Sequence, residues 1–522
     1  MKRRNLLKAS ASAGALTLAG VPFHVLAAGK AGGVINVALQ PEPPSIMIGT
    51  IQNGPALLVG GNIYEGLLSY DEKLDPQPSL ATSWTVSPDG LTYIFKLKPG
   101  VKWHDGKPFT AADVVFSVDV FLRKTHARMR SNIVAVETIR AVDPLTVEFK
   151  LKHPFGPFLG IFPANGMPMV PKHIYEGAED FLKHPAHATP IGTGPFKFKE
   201  WVRASYIQLV RNDDYHVKGV PLVDSLYFHV IPDAAARANA FESGKIDVLP
   251  GGSAEYFDVA RLAKLPGVTV TTKGWEMFAP MSWIVINNRK APMDNVKFRQ
   301  ALSLSLDREA MRKIAWYGYA ELPNGPFNSH LKYARADLPK LSRDKEKAKK
   351  LLAESGYKGE VLRLLPLPYG ETWQRMAEIT RQNLAETGIK VEMSATDVAG
   401  WNQKLNAWDF DLAFNFLYQH GDPALGVGRN YTTANIEKGS PFNNVEGYSN
   451  PKVDALFEQG QRELDPARRQ AIYGEVQKLL VDDVPVAWLH ELNFPTVYRS
   501  KITNPISSGV GLNDGFAKAW IA

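Results

Sequence analysis

The stretch Tyr418-Gln419-His420-Gly421-Asp422-Pro423 gathers more chemical capability than any other short run in the chain. A phenol, an amide, an imidazole and a carboxylate follow directly on the apolar run Phe410–Phe416, which has the character of a buried strand. Ligands of α/β sheets bind beyond the carboxyl ends of strands, so a polar loop at this point is a candidate binding loop. The competing reading is that Asp422-Pro423 only starts a turn or caps a helix. Catalytic signatures are missing elsewhere. The sequence has no G-x-S-x-G, no H-E-x-x-H, no P-loop and no EF-hand loop. It has no cysteine, which removes disulfides, thiolate metal sites and thiol nucleophiles together. The histidines lie scattered without metal-ligand spacing, and His184 and His187 read as loop residues. Trp103-His104-Asp105-Gly106 reads as a tight turn, with local hydrogen bonds expected of its two polar side chains. Gly192-Thr-Gly lacks both the Lys-Ser/Thr of a phosphate loop and the third glycine of a dinucleotide fingerprint, and reads as a turn into a strand. No enzymatic activity, cofactor or bound metal is expected.

A cleft for an organic molecule needs apolar walls with a few polar anchors. Trp275, Phe278, Trp401 and Tyr418 are the aromatic candidates, each of which could equally be core, and Asn53 is a polar candidate in a glycine-rich loop.

The elements that would carry these residues alternate. Gly33–Leu39 is a buried strand broken by Pro41 and Pro44, and the segment Asn62–Leu68 reads as helical. Tyr93, Phe95 and Leu97 fall on one face of a strand after the Ser87–Gly90 turn. Thr110 with Asp113 opens a helix whose apolar stripe is Val114, Val115, Val118, Phe121 and Leu122. Later strands are expected at Leu145–Leu151, Gly244–Leu249, Trp283–Asn288, Val361–Leu365, Ile389–Ser394, Phe410–Phe416 and Val484–Leu489. Helices are expected at Asp233–Ser243, after Asp294 and Asp307, and over Ser342–Ser355, Glu371–Thr387 and Val398–Asn406. Asn450-Pro451 and Asp465-Pro466 open the last two long helices with proline at the first turn. Strands alternating with helices indicate a parallel or mixed sheet covered on its faces.

Composition sets limits. At 522 residues the chain exceeds a single core, and two or three domains are expected. Lys2, Arg3, Arg4 and Lys8 precede an apolar run ending Val25-Leu26-Ala27-Ala28, the pattern of a cleavable export signal. Arg3-Arg4 with Leu6-Leu7-Lys8 points to the twin-arginine route. Residues 1–28 hold four basic and no acidic side chains, so removing them takes the formal charge from +7 to about +3. That surplus implies no nucleic-acid partner, and no later run has the 18 or so apolar residues of a membrane span.

The block from Asn62-Ile-Tyr-Glu-Gly-Leu through Leu80-Ala-Thr-Ser-Trp-Thr-Val-Ser-Pro-Asp-Gly and Lys102-Trp-His-Asp-Gly-Lys-Pro-Phe-Thr-Ala-Ala-Asp resembles the peptide/opine/nickel cluster of extracytoplasmic solute-binding proteins, family 5. Gly192-Thr-Gly-Pro-Phe, Gly244-Lys-Ile-Asp-Val and Asn287–Met311 match further landmarks, so the resemblance covers nearly the whole chain after the signal. It implies an α/β fold with two periplasmic-binding-protein-like lobes of class II type and an extra α+β domain. The implied boundaries are residues 30–65, 190–279 and 488–522 for a discontinuous domain I, 66–189 for domain II and 280–487 for domain III. The implied role is a monomeric periplasmic receptor that encloses a small-molecule or short-peptide ligand and delivers it to the permease subunits of an ABC importer in the inner membrane. An opine, an oligosaccharide or a metal chelate is the alternative ligand, and a secreted hydrolase or a periplasmic chaperone the alternative of another class.

The resemblance also implies residue roles. Asp422 would pair with a ligand amine, with Tyr418, Gln419 and His420 beside it, and Trp401 would form a ligand wall. Dipeptide-binding relatives clamp the ligand carboxylate with an Arg-x-Tyr at the position of Leu367 and Tyr369; the tyrosine is kept here and the arginine is not. Arg429 is the candidate replacement.

Overall fold

The computed structural model describes residues 31–522. The expected export signal lies outside the described residues. Three sheets organise the rest. The first has seven strands, in the spatial order Val268–Thr271, Thr496–Arg499, Val248–Leu249, Val34–Leu39, Ser225–Val230, Tyr206–Arg211 and Phe196–Val202. Val34–Leu39 sits near the middle, parallel to Ser225–Val230 along its whole length and to Val248 at Val37. Ile35, Val37, Ala38 and Leu39 are all buried, the near-continuous apolar run of a strand covered on both faces.

The second sheet has five strands, ordered Val391–Met393, Leu362–Leu365, Leu412–Tyr418, Pro280–Ile286 and Val486–Glu491. Leu362–Leu365 is parallel to both neighbours, whereas Pro280–Ile286 is antiparallel to both. All seven residues of Pro280–Ile286 are buried. The helix Glu371–Thr387 ends where expected, on Gly388 in the left-handed region at φ 97°.

The third sheet is antiparallel, in the order Ala81–Val86, Thr92–Leu97, Thr146–Leu151, Val136–Asp143. Tyr93, Phe95 and Leu97 point into its core, where Phe95 meets Phe149 edge-on at 5.5 Å. The helix Ala111–Val115 opens as the Thr110/Asp113 spacing predicts. The Asp113 carboxylate accepts the Thr110 N–H at 2.8 Å and, across the domain, the Lys172 N–H at 3.1 Å.

Four expectations change. Asn62–Leu68 is not helical; the helix is Gly54–Gly60, capped by Asn53, and the chain then turns into the short strand Leu68–Tyr70. Tertiary contact overrides local pattern there, because a Cβ on Gly66 would stand 2.0 Å from the Phe162 carbonyl oxygen. The apolar stripe after Val115 is wound as a π-helix over Phe116–Leu122. Its buried Ser117 hydroxyl exchanges hydrogen bonds with the backbone of Val170. The helix expected after Asp294 is capped one residue later, by Asn295, whose side chain accepts the Lys297 N–H. Finally, Trp488 pairs with Trp283 inside the second sheet, so the chain leaves that sheet after Glu491 rather than at residue 488.

One buried acid in the second lobe makes stability depend on pH. Burial pushes the Glu446 carboxyl up to about 8, against weaker lowering by its own backbone N–H and by Arg289. An unfolded glutamate titrates near 4.3. Between those values the folded protein holds a proton that the unfolded chain has released, so this contribution is complete below about pH 4.3 and is lost as pH rises through 8. Glu446→Gln removes the linkage: melting temperatures measured from about pH 5 to 8.5 fall less steeply for the variant than for the parent. Equal slopes would show that Glu446 is not the group responsible.

Candidate functional site

A cavity of about 200 Å³ opens where the first and second sheets face each other. Leu39 reaches it from the end of Val34–Leu39, and Pro250–Ser253 reach it just beyond Val248–Leu249. Tyr418 and His420 come from the end of Leu412–Tyr418. Carboxyl ends of strands from both sheets therefore converge on one space, the arrangement in which α/β proteins hold ligands.

One wall is aromatic. Trp275, Phe278 and Tyr418 stand edge to face, with ring centroids 5.9 Å apart for Trp275–Phe278 and 5.3 Å for Phe278–Tyr418. Trp275 is fixed by its indole N–H, which donates to the Phe494 carbonyl at 2.8 Å. Aromatic faces of this kind supply apolar area with little rotamer freedom to lose.

The polar end is cationic, and its main residue comes from the third sheet's domain. His126 caps the helix Ala127–Asn132 by accepting the Met129 N–H on Nδ1, which sets Arg128 at the start of that helix facing the cleft. Arg128 Nη1 lies 2.8 and 3.0 Å from the two ring nitrogens of His420, and Nη2 donates to the Asn165 carbonyl at 3.0 Å. Burial pulls the Arg128 guanidinium down to about 10, with repulsion from Arg429 adding to it, so it stays charged at neutral pH. Burial, followed by Arg128 and Arg429, drives His420 well below its ordinary value and keeps it neutral. Arg429 is itself lowered to about 10 by burial; its Nη2 donates to the Tyr418 carbonyl and its Nε has no partner. Neither arginine pairs with a carboxylate among the described residues, and the cavity wall carries Arg128 and Lys273 but no Asp or Glu. A half-buried charge without a counter-charge carries part of the desolvation cost of burial, and an anion entering here relieves it.

The residues expected to bind ligand divide sharply. Tyr418, His420 and Trp275 line the cavity. Arg429 stands behind Tyr418, close enough to repel Arg128. Asn53 spends its side chain capping the helix Gly54–Gly60, between two wall residues, Gln52 and Gly54. Gln419 is fully buried and ties the loop to Asn328 and Pro326. Tyr369 is half-exposed and off the cavity wall, and Leu367 is buried. Trp401 is a correction: it is 1% exposed within the second lobe's core, away from the cavity. Its spacing on the helix Val398–Ala407 buries it with Leu405.

Asp422 already has a partner inside the protein. A buried carboxylate needs a cation, and the protein supplies it: Arg469 donates to both oxygens at 2.9 and 3.0 Å. The Ala424 N–H takes a further lone pair, so Asp422 also caps the turn Pro423–Gly426. Burial lowers Arg469, but the Asp422 charge, its hydrogen bonds and the nearby Tyr473 and Tyr333 together outweigh it and raise the guanidinium. Three of the carboxylate's four acceptor positions are taken within the protein. Arg128 is the residue that sequence reasoning missed. The run His126-Ala127-Arg128-Met129-Arg130 carries basic side chains among polar neighbours, and nothing local marks which of them faces a cleft. Among the described residues no group of three His, Cys, Asp or Glu could hold a metal ion.

Comparison with known proteins follows the same geometry. A family model described as bacterial extracellular solute-binding proteins, family 5, matches residues 75–437. The glutathione-binding protein GsiB of Pectobacterium atrosepticum is 28% identical over 473 residues, covering 85% of this chain and 86% of that protein. The ABC transporter substrate-binding protein CtaP of Listeria monocytogenes superposes with a TM-score of 0.84 at 28% identity, covering 94% of this chain and 100% of that one. The ABC transporter-associated periplasmic binding protein DppA of Helicobacter pylori, in complex with the peptide STSA, gives a TM-score of 0.81 at 25% identity, covering 94% and 98%. Among the described residues no helix is long and apolar enough to cross a membrane.

The Asp422–Arg469 pair makes a direct prediction. Asp422→Asn leaves a buried guanidinium uncompensated and costs about 3–5 kcal/mol of stability. Calorimetry would record this as a lowered melting temperature of the unliganded protein. An unchanged melting temperature would mean that Arg469 does not depend on Asp422.

Proposed function

The chain belongs to the bacterial extracellular solute-binding proteins of family 5, and we propose that it captures a short peptide by its carboxylate and hands it to an ABC permease. The supporting observation is the uncompensated Arg128 in a cavity whose wall has no acid. A carboxylate there gains charge-assisted hydrogen bonds of the fork geometry that guanidinium groups favour. The aromatic wall of Trp275, Phe278 and Tyr418 takes the apolar part of the ligand. Relatives that bind glutathione and the peptide STSA favour a peptide over an opine, a sugar or a chelate. Arg128 does here what the missing arginine at Leu367 does in dipeptide-binding relatives, from a different domain.

Capture follows the hinge logic of two lobes. The wall is shared between the first sheet, the second sheet and the helix bearing Arg128, so a ligand touching all three favours the closed arrangement by its differential contacts. The monomer then presents this closed surface to the membrane partner. The export signal in residues 1–28 and the twin-arginine pattern at Arg3-Arg4 support delivery to the periplasm in folded form. For the domain limits we adopt residues 66–189 for the extra domain, with the return from the second lobe placed after Glu491, where strand pairing ends.

The test uses peptides and their C-terminal amides. In titration calorimetry a bound dipeptide should lose affinity on amidation. Arg128→Gln should weaken the free acid by roughly 2–5 kcal/mol. The two changes should be non-additive, because each removes one half of the same contact. An amide that binds the parent protein as tightly as the acid would sink the carboxylate reading.

A further inference from the structure

Behind the Arg128–His420 pair lies a second space. A cavity of about 210 Å³ is bounded by Tyr70, Leu159, Met277, Tyr333 and Leu425, with His420 on its near side. A gap of about 20 Å³ borders both, sharing Arg128 and His420 with the main cavity and Gly160, Met277, His420 and Leu425 with the rear one. His420 lines all three spaces. The imidazole is thus a partition, and Arg128 stands on the boundary.

The chemistry of the rear chamber differs from that of the front. Its charged groups are already satisfied: Asp422 pairs with Arg469, and Lys332 reaches Asp75 at 3.0 Å. What remains is apolar side chain and tyrosine ring. An apolar cavity of roughly 150 Å³ is enough to hold a benzene molecule, and the rear chamber exceeds that. The front cavity alone, at about 200 Å³, falls below the roughly 300 Å³ at which small-molecule pockets usually begin. The two spaces together fall within the usual range.

The His420 ring is held by few polar contacts. Arg128 is the sole hydrogen-bond partner of the His420 ring among the described residues. His420 and Gly421 both sit at positive φ, 53° and 73°, so the ring is carried by a backbone turn held in an uncommon conformation. Gly421 has no room for a side chain without pressing on Leu74 and Met277, at 3.2 and 3.3 Å from a Cβ built there. Where a carboxylate takes the place of the ring nitrogens at Arg128 Nη1, the imidazole has no other hydrogen bond to hold it across the boundary.

We propose that the rear chamber is a second subsite of the same binding site, taking the bulky apolar side chain of a ligand's carboxyl-terminal residue while Arg128 holds the carboxylate at the junction. The proposal rests on the carboxylate reading above and adds a substrate class to it: short peptides ending in an aromatic or large aliphatic residue.

Three dipeptides of equal length and charge separate the possibilities in titration calorimetry: Ala-Ala, Phe-Ala and Ala-Phe. Ala-Phe should bind the parent protein at least tenfold more tightly than the other two. Leu425→Trp fills the chamber and should abolish that preference, so that Ala-Phe binds no more tightly than Ala-Ala. Gly160→Ala, a smaller intrusion whose Cβ would stand 3.2 Å from Leu425 Cδ1, should reduce the preference in the same direction and guards against a folding defect in the first variant. A parent protein that binds Ala-Ala but prefers Phe-Ala, or that keeps its Ala-Phe preference in both variants, overturns the rear subsite and leaves the carboxylate reading standing. Failure of all three dipeptides to bind the parent protein overturns both.

Discussion

The parallel pairing of Val34–Leu39 with Ser225–Val230 and with Val248 is the constraint on which the architecture depends. Parallel neighbours cannot be joined by a tight turn, so the chain must travel away and return before each pairing is made. Here the first excursion is long enough to hold a complete antiparallel domain, including the sheet from Ala81 to Leu151. A second excursion from Pro280 to Glu491 builds the other lobe before Thr496–Arg499 returns to the first sheet. The extra domain is closed at its base where the outgoing and returning chain pair, the Gly194 and Phe196 N–H groups donating to the Ile63 and Asn62 carbonyls at 2.9 and 3.0 Å. That tether is what lets the helix Ala127–Asn132 present a side chain to a cleft formed mainly by other parts of the chain.

Charge balance explains why some polar residues near the cleft are structural and others are free to bind. The Asp422–Arg469 pair is closed: donors and acceptors match, and Tyr333 and Tyr473 add their hydroxyls to the guanidinium. Its net charge is zero, so it contributes shape and rigidity to the loop that carries His420. Arg128 is open: its partners are a neutral ring and a carbonyl. The cost of holding a half-buried cation in this way is carried by the rest of the fold, and a ligand anion offsets it at the moment of binding. Binding strength and unliganded stability are thus linked through the same group.

Much of the fold was legible because local chemistry and global structure agree there. Period-two alternation at Tyr93, Phe95 and Leu97 located a strand face, Gly388 located a helix end, and Pro451 and Pro466 sit in first turns. Asn62–Leu68 misled because its conformation is set by contacts with residues far along the chain, which no local window contains. The candidate site was legible only in part, for a related reason. Tyr418 and His420 follow a recognisable strand, and position alone marked them. Trp401 has the composition of a ligand wall and the helix phase of a core residue, and the phase decided. Asp422 kept its expected position, yet its role depends on whether a cation reaches it, and Arg469 lies 47 residues away in sequence.

Arg128 shows why family features and ligand features need not sit where composition suggests. The hairpins and capped helix of the extra domain look like support, and most of their residues are: Phe95, Phe149 and Phe162 pack into an aromatic core with nothing to offer a ligand. Yet a domain rigidly packed in this way is a good platform from which to project one charged side chain, because the helix cap at His126 and the carbonyl of Asn165 fix the guanidinium before any ligand arrives. A mobile loop carrying the same arginine would lose conformational entropy on binding that this one does not. Scaffold and anchor are therefore the same element, and the rigidity that made the domain look uninvolved is the property that suits it to hold the ligand's charge.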